Sequence, residues 1–280
     1  MPYSSEISRT NPSCFLFVID QSASMEDPFG QEGATKAKAD GVADAINRLL
    51  QDLVIKCAKS EGVRDYYHIG VIGYGQNVGP AFSGDLLGQD LVPVSRIAEH
   101  PARVEERAKK VDDGAGGVVE QGIKFPVWFD ATANGGTPMC AAMTLAEDVL
   151  SNWIEQHPKA FPPVVIHITD GESTDGDPAE AMKRIKEMKT KDGNVLLFNV
   201  HLSDNPNAKT LSFPNDANAL PDQFSQTLFE GASPLTPFMR RVAGEMGFEV
   251  SDQTRGFVMN ADLPMVVQAL EIGTRPSNLR

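Results

Sequence analysis

The sequence predicts an α/β fold with a doubly wound, mostly parallel central sheet and helices on both of its faces. Two observations carry this prediction. Apolar runs at residues 14–19 and 164–168, the second interrupted by His167, are typical of parallel strands that are buried on both faces. Segments with apolar residues at helical spacing lie between such runs, and strands that alternate with helices form right-handed βαβ units.

Each further element is predicted from its own pattern. Apolar residues recur every three or four positions in the helices, and Pro138 fits a first helical turn, where its missing N–H has no intrahelical role. In chain order we expect a strand at 14–19, a helix at 35–59, a strand at 66–74, a short edge strand at 81–87, a helix at 138–156, a strand at 164–169, a helix at 178–191 and a strand at 194–200.

Two segments depart from the alternation. The first is an insertion near residues 84–125, in which 103–111 and 118–125 flank the sequence DDGAGG and predict a hairpin with a glycine-rich turn. A phosphate-binding loop is disfavoured there, because no GK[ST] follows the glycines. The second segment, 201–226, is rich in Asn, Asp, Ser and Pro and predicts a long loop or a short crossover.

The composition is that of a globular protein with ample chain for a core. We expect one domain over residues 1–280, with its core at about 12–275. The formal net charge of −13 disfavours nucleic acids and anionic membrane surfaces as partners, since both attract basic proteins. Three cysteines without a CxxC pair (Cys14, Cys57 and Cys140), a polar N-terminus and the lack of an apolar run of membrane length favour a cytoplasmic protein.

Five side-chain oxygens are expected to converge at one edge of the sheet. Asp20, Ser22 and Ser24 follow the first strand in DQSAS, Thr137 precedes a helix in GGTPM, and Asp170 follows a later strand in TDGES. The carboxyl ends of parallel strands are where ligands bind in open α/β sheets. Two carboxylates and three hydroxyls form a hard-oxygen set suited to Mg²⁺, with Mn²⁺ or Ca²⁺ as possible substitutes.

The order D-x-S-x-S, then Thr, then T-D-G resembles the metal-ion-dependent adhesion site of von Willebrand factor A (VWA) domains. The resemblance continues through the strand near 69–74 and the run FMRRVAGEMGFEV to the helix at 262–272. It implies a Rossmann-like VWA fold. It also implies that Ser22, Ser24 and Thr137 bind the metal directly, whereas Asp20 and Asp170 act through water molecules.

Within this family the chain is most similar to intracellular bacterial members, including those associated with tellurium resistance, through IDQSASM and TDGEST. The resemblance implies a non-enzymatic protein-binding module in a bacterial stress or defence-type system. Its Mg²⁺ ion would capture a Glu or Asp of a protein partner, such as an ATPase, kinase or phosphatase.

The alternative is a Mg²⁺-dependent phosphohydrolase with Asp20 as nucleophile. Enzymes of the haloacid dehalogenase type need a second Asp two residues later as general acid, and that position is Ser22, a poor proton donor near neutral pH. A dinucleotide-binding oxidoreductase is disfavoured because G-x-G-x-x-G does not follow the first strand.

For several other residues, a structural role is favoured over a functional one. Glu172, Asp175 and Asp177 could form a second cation site, but roles in a turn, or for Asp175 or Asp177 as a cap of the helix near Pro178, are favoured. His167 is predicted to be a hydrogen-bonded core histidine, and Cys140 a buried residue in the first turn of its helix. Trp128 and Phe129 are predicted to belong to the core of an edge strand rather than to a patch that contacts a partner.

Overall fold

The structure is a computed structural model that describes residues 2–29, 36–112, 118–203 and 209–275. Its strands are β1 Ser13–Asp20, β2 Ala58–Lys59, β3 Gly62–Val63, β4 Tyr67–Tyr74, β5 Val78–Pro80, β6 Val92–Pro93, β7 Arg103–Asp112, β8 Val118–Val127, β9 Val164–Thr169, β10 Lys189–Thr190, β11 Gly193–Asn194, β12 Leu196–Leu202, β13 Leu211–Ser212 and β14 Phe257–Ala261. Its α-helices are α1 Lys38–Cys57, α2 Val94–Glu99, α3 Met139–Gln156, α4 Ala179–Glu187, α5 Gln223–Gly231, α6 Pro237–Glu245 and α7 Leu263–Thr274, with 3₁₀ turns at Ala23–Glu26 and Gly84–Leu86.

One mostly parallel sheet organises the chain. Its strand order is β13-β14-β12-β9-β1-β4-β5, and β6 also pairs with β4. The five strands from β14 to β4 are parallel to one another. The short strands β13, β5 and β6 pair antiparallel at the two sides of this group. The carboxyl ends of β1 and β9, which carry the predicted carboxylates, therefore lie side by side.

Helices cover both faces of the sheet, as alternation along β1 shows. Phe15 and Phe17 belong to the apolar core that contains residues of α1, α6 and α7. Leu16 and Val18 point the other way, into the core that contains residues of α3, α4 and α5. Because successive side chains of a strand point to opposite faces, an all-apolar strand is required here. The predicted fold class is confirmed.

The inserted segment does contain a hairpin. Strands β7 and β8 pair antiparallel with each other in a separate two-stranded sheet. Buried Phe125 and Val127 anchor its base, and the Arg107 guanidinium lies 3.7 Å from the centre of the Phe125 ring. The predicted glycine-rich turn falls on residues 113–117, which lie outside the described residues.

The predicted edge strand at 81–87 is wrong. Phe82 forms only an isolated bridge with Phe129, and a 3₁₀ turn follows at Gly84–Leu86, where Gly84 has a φ of +66°. The apolar residues Phe82 and Leu86 are four positions apart, and both are buried by a turn rather than by strand alternation. Strand β5 takes the edge position instead.

Two other boundaries differ from the prediction. Helix α4 ends at Glu187, because the chain then reverses in the small β10–β11 hairpin. The segment predicted as a loop, 201–226, contributes the end of β12, strand β13 and the start of α5, although residues 204–208 lie outside the described part. Among the residues that the structure describes, no helix combines the length and the apolar character that crossing a bilayer requires.

Candidate metal centre

The structure brings four of the five predicted ligands into one hydrogen-bonded cluster. The Ser22 N–H donates to Asp20 Oδ1 over 2.8 Å, which turns the chain sharply after β1. Ser24 Oγ donates to Asp170 Oδ1 over 2.8 Å, and the two serine hydroxyls lie 3.0 Å apart. Since the proton of Ser24 is used on Asp170, Ser22 donates to Ser24. Both hydroxyls then keep lone pairs for a cation.

Thr137, the fifth predicted ligand, lies in a loop that contacts both the segment after β1 and the segment after β9. The Ala23 N–H donates to the Gly135 carbonyl over 3.0 Å. Thr137 N–H donates to Thr174 Oγ1 over 3.0 Å, and the Thr174 N–H donates back to the Thr137 carbonyl over 2.9 Å. Thr137 is buried, and within the described residues its hydroxyl makes no hydrogen bond. Its backbone thus fixes its position and leaves the hydroxyl for a ligand.

Two glycines allow this loop to approach so closely. A Cβ on Gly75, just after β4, would lie 2.5 Å from the carbonyl oxygens of Gln21 and Asn134. Gly135 has a φ of +85°, and a Cβ there would lie 2.4 Å from the Gln76 nitrogen. Both positions therefore require glycine, which lets the ends of β1, β4 and the Thr137 loop meet.

Asp20 is the most perturbed carboxyl of the cluster. It is fully buried, and burial raises its pKa to about 6. Hydrogen bonds from Ser22 and from Thr169, whose Oγ1 donates to Asp20 Oδ2 over 2.7 Å, oppose this rise, and the nearby charge of Asp170 adds to it. Burial thus disfavours the ionised form of Asp20, and a cation placed beside this carboxylate would stabilise it.

Sequence reasoning missed Lys38, the first residue of α1. Its Nζ donates to Asp170 Oδ2 over 2.6 Å, and neither side chain is exposed to solvent. Both oxygens of Asp170 are therefore already engaged, one by Ser24 and one by Lys38. The available signal was weak: a lysine in the first turn of a predicted helix opposes the helix dipole, which favours acidic residues there.

A chain of buried polar groups runs from the floor of the cluster to α5. The Asn199 side-chain amide donates to the Leu228 carbonyl over 2.7 Å, so its oxygen accepts from His167 Nδ1 at 2.9 Å. His167 Nε2 is then the acceptor for the Tyr74 hydroxyl at 2.6 Å. Burial lowers the pKa of His167 to about 4, so the ring is neutral at pH 7. The prediction of a satisfied core histidine is confirmed.

The acidic loop after Asp170 accepts hydrogen bonds from backbone N–H groups at the starts of two helices. Asp175 accepts hydrogen bonds from the N–H groups of Cys140 and Ala141, both at 2.9 Å, at the start of α3. Asp177 accepts one from Ala179 N–H at 2.9 Å, at the start of α4. The predicted cap of the helix near Pro178 is thus supplied by Asp177, whereas Asp175 binds the start of α3 instead. Within the described residues, no group of three or more His, Cys, Asp or Glu side chains could hold a metal.

Two smaller predictions have different outcomes. Trp128 and Phe129 are buried, and the Asn47 side chain accepts from both of their N–H groups, at 2.8 and 3.0 Å. A core role is confirmed, although both residues follow β8 rather than lie in it. Cys140 was expected to be buried, but it is partly exposed, because its position in the first turn of α3 faces the Ser173 hydroxyl at 3.7 Å at the surface.

The residues present fit a hard cation. They offer oxygen alone, as Mg²⁺ prefers, and they combine a buried carboxylate whose pKa is raised with a threonine hydroxyl that has no hydrogen-bond partner in the described part of the chain. The ligands would be Ser22, Ser24 and Thr137, with Asp20 and Asp170 behind them. The ammonium of Lys38 is a feature that the resemblance did not imply.

No protein-family model matches the sequence, and no curated protein matches it significantly. Solved structures with a similar backbone do exist. A von Willebrand factor type A protein from Catenulispora acidiphila has a TM-score of 0.41 and 17% identity over 70% of this chain and 34% of its own. The ArnB paralog VWA2 from Sulfolobus acidocaldarius has a TM-score of 0.39 and 15% identity over 82% and 41%. Three N-terminal domains of the pili tip protein Mfa5 from Porphyromonas gingivalis have a TM-score of 0.32 and 14% identity over 58% and 20%.

The chain thus spans less than half the length of each of these structures. The fold described above rests on the strand order and on the two cores, which hold independently of these neighbours.

Proposed function

We propose that this chain is a metal-dependent protein-binding module, in which one Mg²⁺ ion at the edge of the sheet captures an acidic side chain of a partner protein. The observation that carries the proposal is the cluster of Asp20, Ser22, Ser24 and Asp170, held by hydrogen bonds of 2.8–3.0 Å, of which the one from Ser24 to Asp170 joins positions 146 residues apart. The cluster lies at the carboxyl ends of two neighbouring parallel strands, which is where open α/β sheets bind ligands.

The chemistry of the ligands supports capture of a carboxylate. Hydroxyl groups are neutral, so an ion bound directly to three of them keeps most of its positive field. An external carboxylate is the natural partner for such an ion. The site is also open to a partner, since Ala23 and Gly136 on the surrounding loops are exposed.

The partner class follows from the resemblance alone. We propose a Glu or Asp on an ATPase, kinase or phosphatase, with this chain as a regulatory or assembly subunit in a bacterial stress or defence-type system. The acidic surface, with a formal net charge of −13, would then favour a partner whose docking face is otherwise basic.

Isothermal titration of Mg²⁺ into the purified, EDTA-treated protein tests the metal centre. We expect saturable binding by the wild type, loss of binding in Asp20→Ala and Ser22→Ala, and weaker binding in Thr137→Ala. Thermal unfolding of Thr137→Ala should change little, because the hydrogen bonds that fix this residue come from its backbone. A wild type that binds no Mg²⁺, Mn²⁺ or Ca²⁺ would end the proposal.

The phosphohydrolase alternative has a separate readout. Asp20 is fully buried and both of its oxygens accept hydrogen bonds, which is a poor arrangement for a nucleophile. Release of phosphate from p-nitrophenyl phosphate with Mg²⁺, lost in Asp20→Ala, would nevertheless favour the enzyme over the binding module.

A further inference from the structure

The buried ion pair between Lys38 and Asp170 is the feature of the centre that the proposed function leaves unexplained. The Nζ–Oδ2 distance is 2.6 Å and both side chains are 0% exposed. An ammonium group that is fully withdrawn from water carries a large desolvation cost, and replacement of such pairs by apolar residues is often neutral or stabilising. Stability alone is therefore a poor reason for this pair.

Its place on the helix makes the pair still less favourable. Lys38 is the first residue of α1, where its own N–H donates to the Asp27 carbonyl over 3.0 Å. The N-terminus of a helix carries partial positive charge and disfavours a lysine. The sequence thus places a cation where both burial and the helix dipole disfavour it, and within hydrogen-bond distance of a predicted metal ligand.

We propose that Lys38 is a fixed counter-cation of the metal centre, which weakens Mg²⁺ binding and keeps the loaded centre positively charged. This inference rests on the proposed metal-binding function. Asp20, Asp170 and Lys38 together carry one net negative charge when all are ionised. With Mg²⁺ bound, these three groups and the ion carry one net positive charge, whereas without the ammonium they would carry none.

Lys38 therefore lowers the affinity of the centre for Mg²⁺ and raises the attraction of the loaded centre for an external carboxylate. Repulsion between the ammonium and the ion acts within a buried cluster, where salt and water screen it little. The same repulsion leaves a positive centre that favours the acidic side chain of a partner. A centre without Lys38 would bind Mg²⁺ more tightly and would attract the carboxylate of a partner less strongly.

Mg²⁺ titration calorimetry on Lys38→Met tests the inference, because methionine is similar in length and uncharged. We expect Lys38→Met to bind Mg²⁺ at least about tenfold more tightly than the wild type, a change of about 1.4 kcal/mol in binding free energy. The matched control is Lys36→Met, since Lys36 lies two residues earlier, pairs with Asp44 and is 42% exposed. That control should bind like the wild type.

The outcomes separate this inference from the function on which it rests. If the wild type binds no divalent cation, the metal centre itself is wrong and the inference falls with it. If the wild type binds Mg²⁺ but folded Lys38→Met binds equally or more weakly, only the role of Lys38 is wrong. An equal gain in Lys36→Met would also overturn it, because the effect would then be a general loss of positive charge.

A measurement on the wild type keeps the inference testable should Lys38→Met fail to fold. Buried lysine ammonium groups exchange slowly enough to be followed by ¹H–¹⁵N NMR. We expect the Lys38 Nζ signal to shift on addition of Mg²⁺. A Lys38 signal that does not respond to saturating Mg²⁺ would overturn the inference.

Discussion

Two ion pairs at the start of α1 use the same residue types in opposite surroundings. Lys38 pairs with Asp170 in an environment from which both side chains are fully withdrawn. Lys36 pairs with Asp44 at the surface, where the side chains are 42% and 24% exposed, and Asp44 also accepts from Arg107 of the hairpin over 2.7 Å. Two positions along the chain separate an interior cation from a solvated one.

The difference shows that burial, rather than the pairing itself, decides what an ion pair does. At the surface, water competes for both charges and the pair contributes little. In the interior each charge depends on its partner, and the field of each reaches any ion bound nearby. The surface network therefore helps to hold the hairpin against α1, whereas the buried pair sets the charge of the candidate metal centre.

The largest contrast should come from removing one carboxylate from each pair. In EDTA we expect Asp170→Asn to lower the free energy of unfolding by about 3 kcal/mol, because a buried ion pair is broken. Asp44→Asn should cost less than about 1 kcal/mol. Urea denaturation of the two variants checks this. Equal losses would mean that the burial of Asp170 does not matter, and the comparison would fail.

A second contrast lies in the dependence of stability on pH. Burial raises the pKa of Asp20 to about 6, so without metal its ionisation should lower stability by about 2–3 kcal/mol as pH rises from 4 to 6. The pKa of Asp44 is lowered by Lys36 and Arg107 in spite of partial burial, so its contribution is instead lost as pH falls through its ordinary range. Urea denaturation between pH 4 and 7 should show this loss of stability with rising pH in the wild type and not in Asp20→Asn. A wild-type profile that rises by this amount, relative to Asp20→Asn, would contradict it.

The smallest effect concerns salt. Arg107 pairs with Asp44 and Glu105, both at 2.7 Å, and stacks on Phe125. Arg107→Ala should cost about 1 kcal/mol at low salt, and less in 1 M NaCl, because exposed charges are screened. The cost of Asp170→Asn should stay nearly constant over the same range. Thermal unfolding at both salt concentrations measures this, and a salt-independent Arg107→Ala would point to packing alone.

Much of the fold could be predicted, because its signals are local. Residues 14–19 of β1 are all apolar, and so are four of the five residues at 164–168 of β9, as a strand covered on both faces requires. The edge strand at 81–87 could not be placed correctly, since Phe82 and Leu86 suit either a strand or a turn until Gly84 adopts its left-handed conformation. The insertion was recognised as a hairpin from its turn residues, but its contact with α1 has no local signature.

The site was foreseen to the extent that its residues follow strands. Asp20, Ser22 and Ser24 mark the end of β1, and a parallel partner strand brings Asp170 beside them. The raised pKa of Asp20 and the chain of hydrogen bonds through Tyr74 and His167 depend on neighbours from distant segments of the sequence. No short stretch of sequence therefore predicts them. The metal itself and its partner stay predictions.

What the chain determines by itself is the alternation of buried strands and amphipathic helices, and with it the edge where the polar loops gather, because hydrophobic period and strand polarity are local properties. What only the tertiary structure decides is the electrostatics of that edge. Lys36 and Lys38 are indistinguishable as letters in a sequence, yet the packing of α1 leaves one in water and places the other against Asp170 with no solvent between them. The energy of a charge depends on the medium around it, and that medium exists only once the chain has folded.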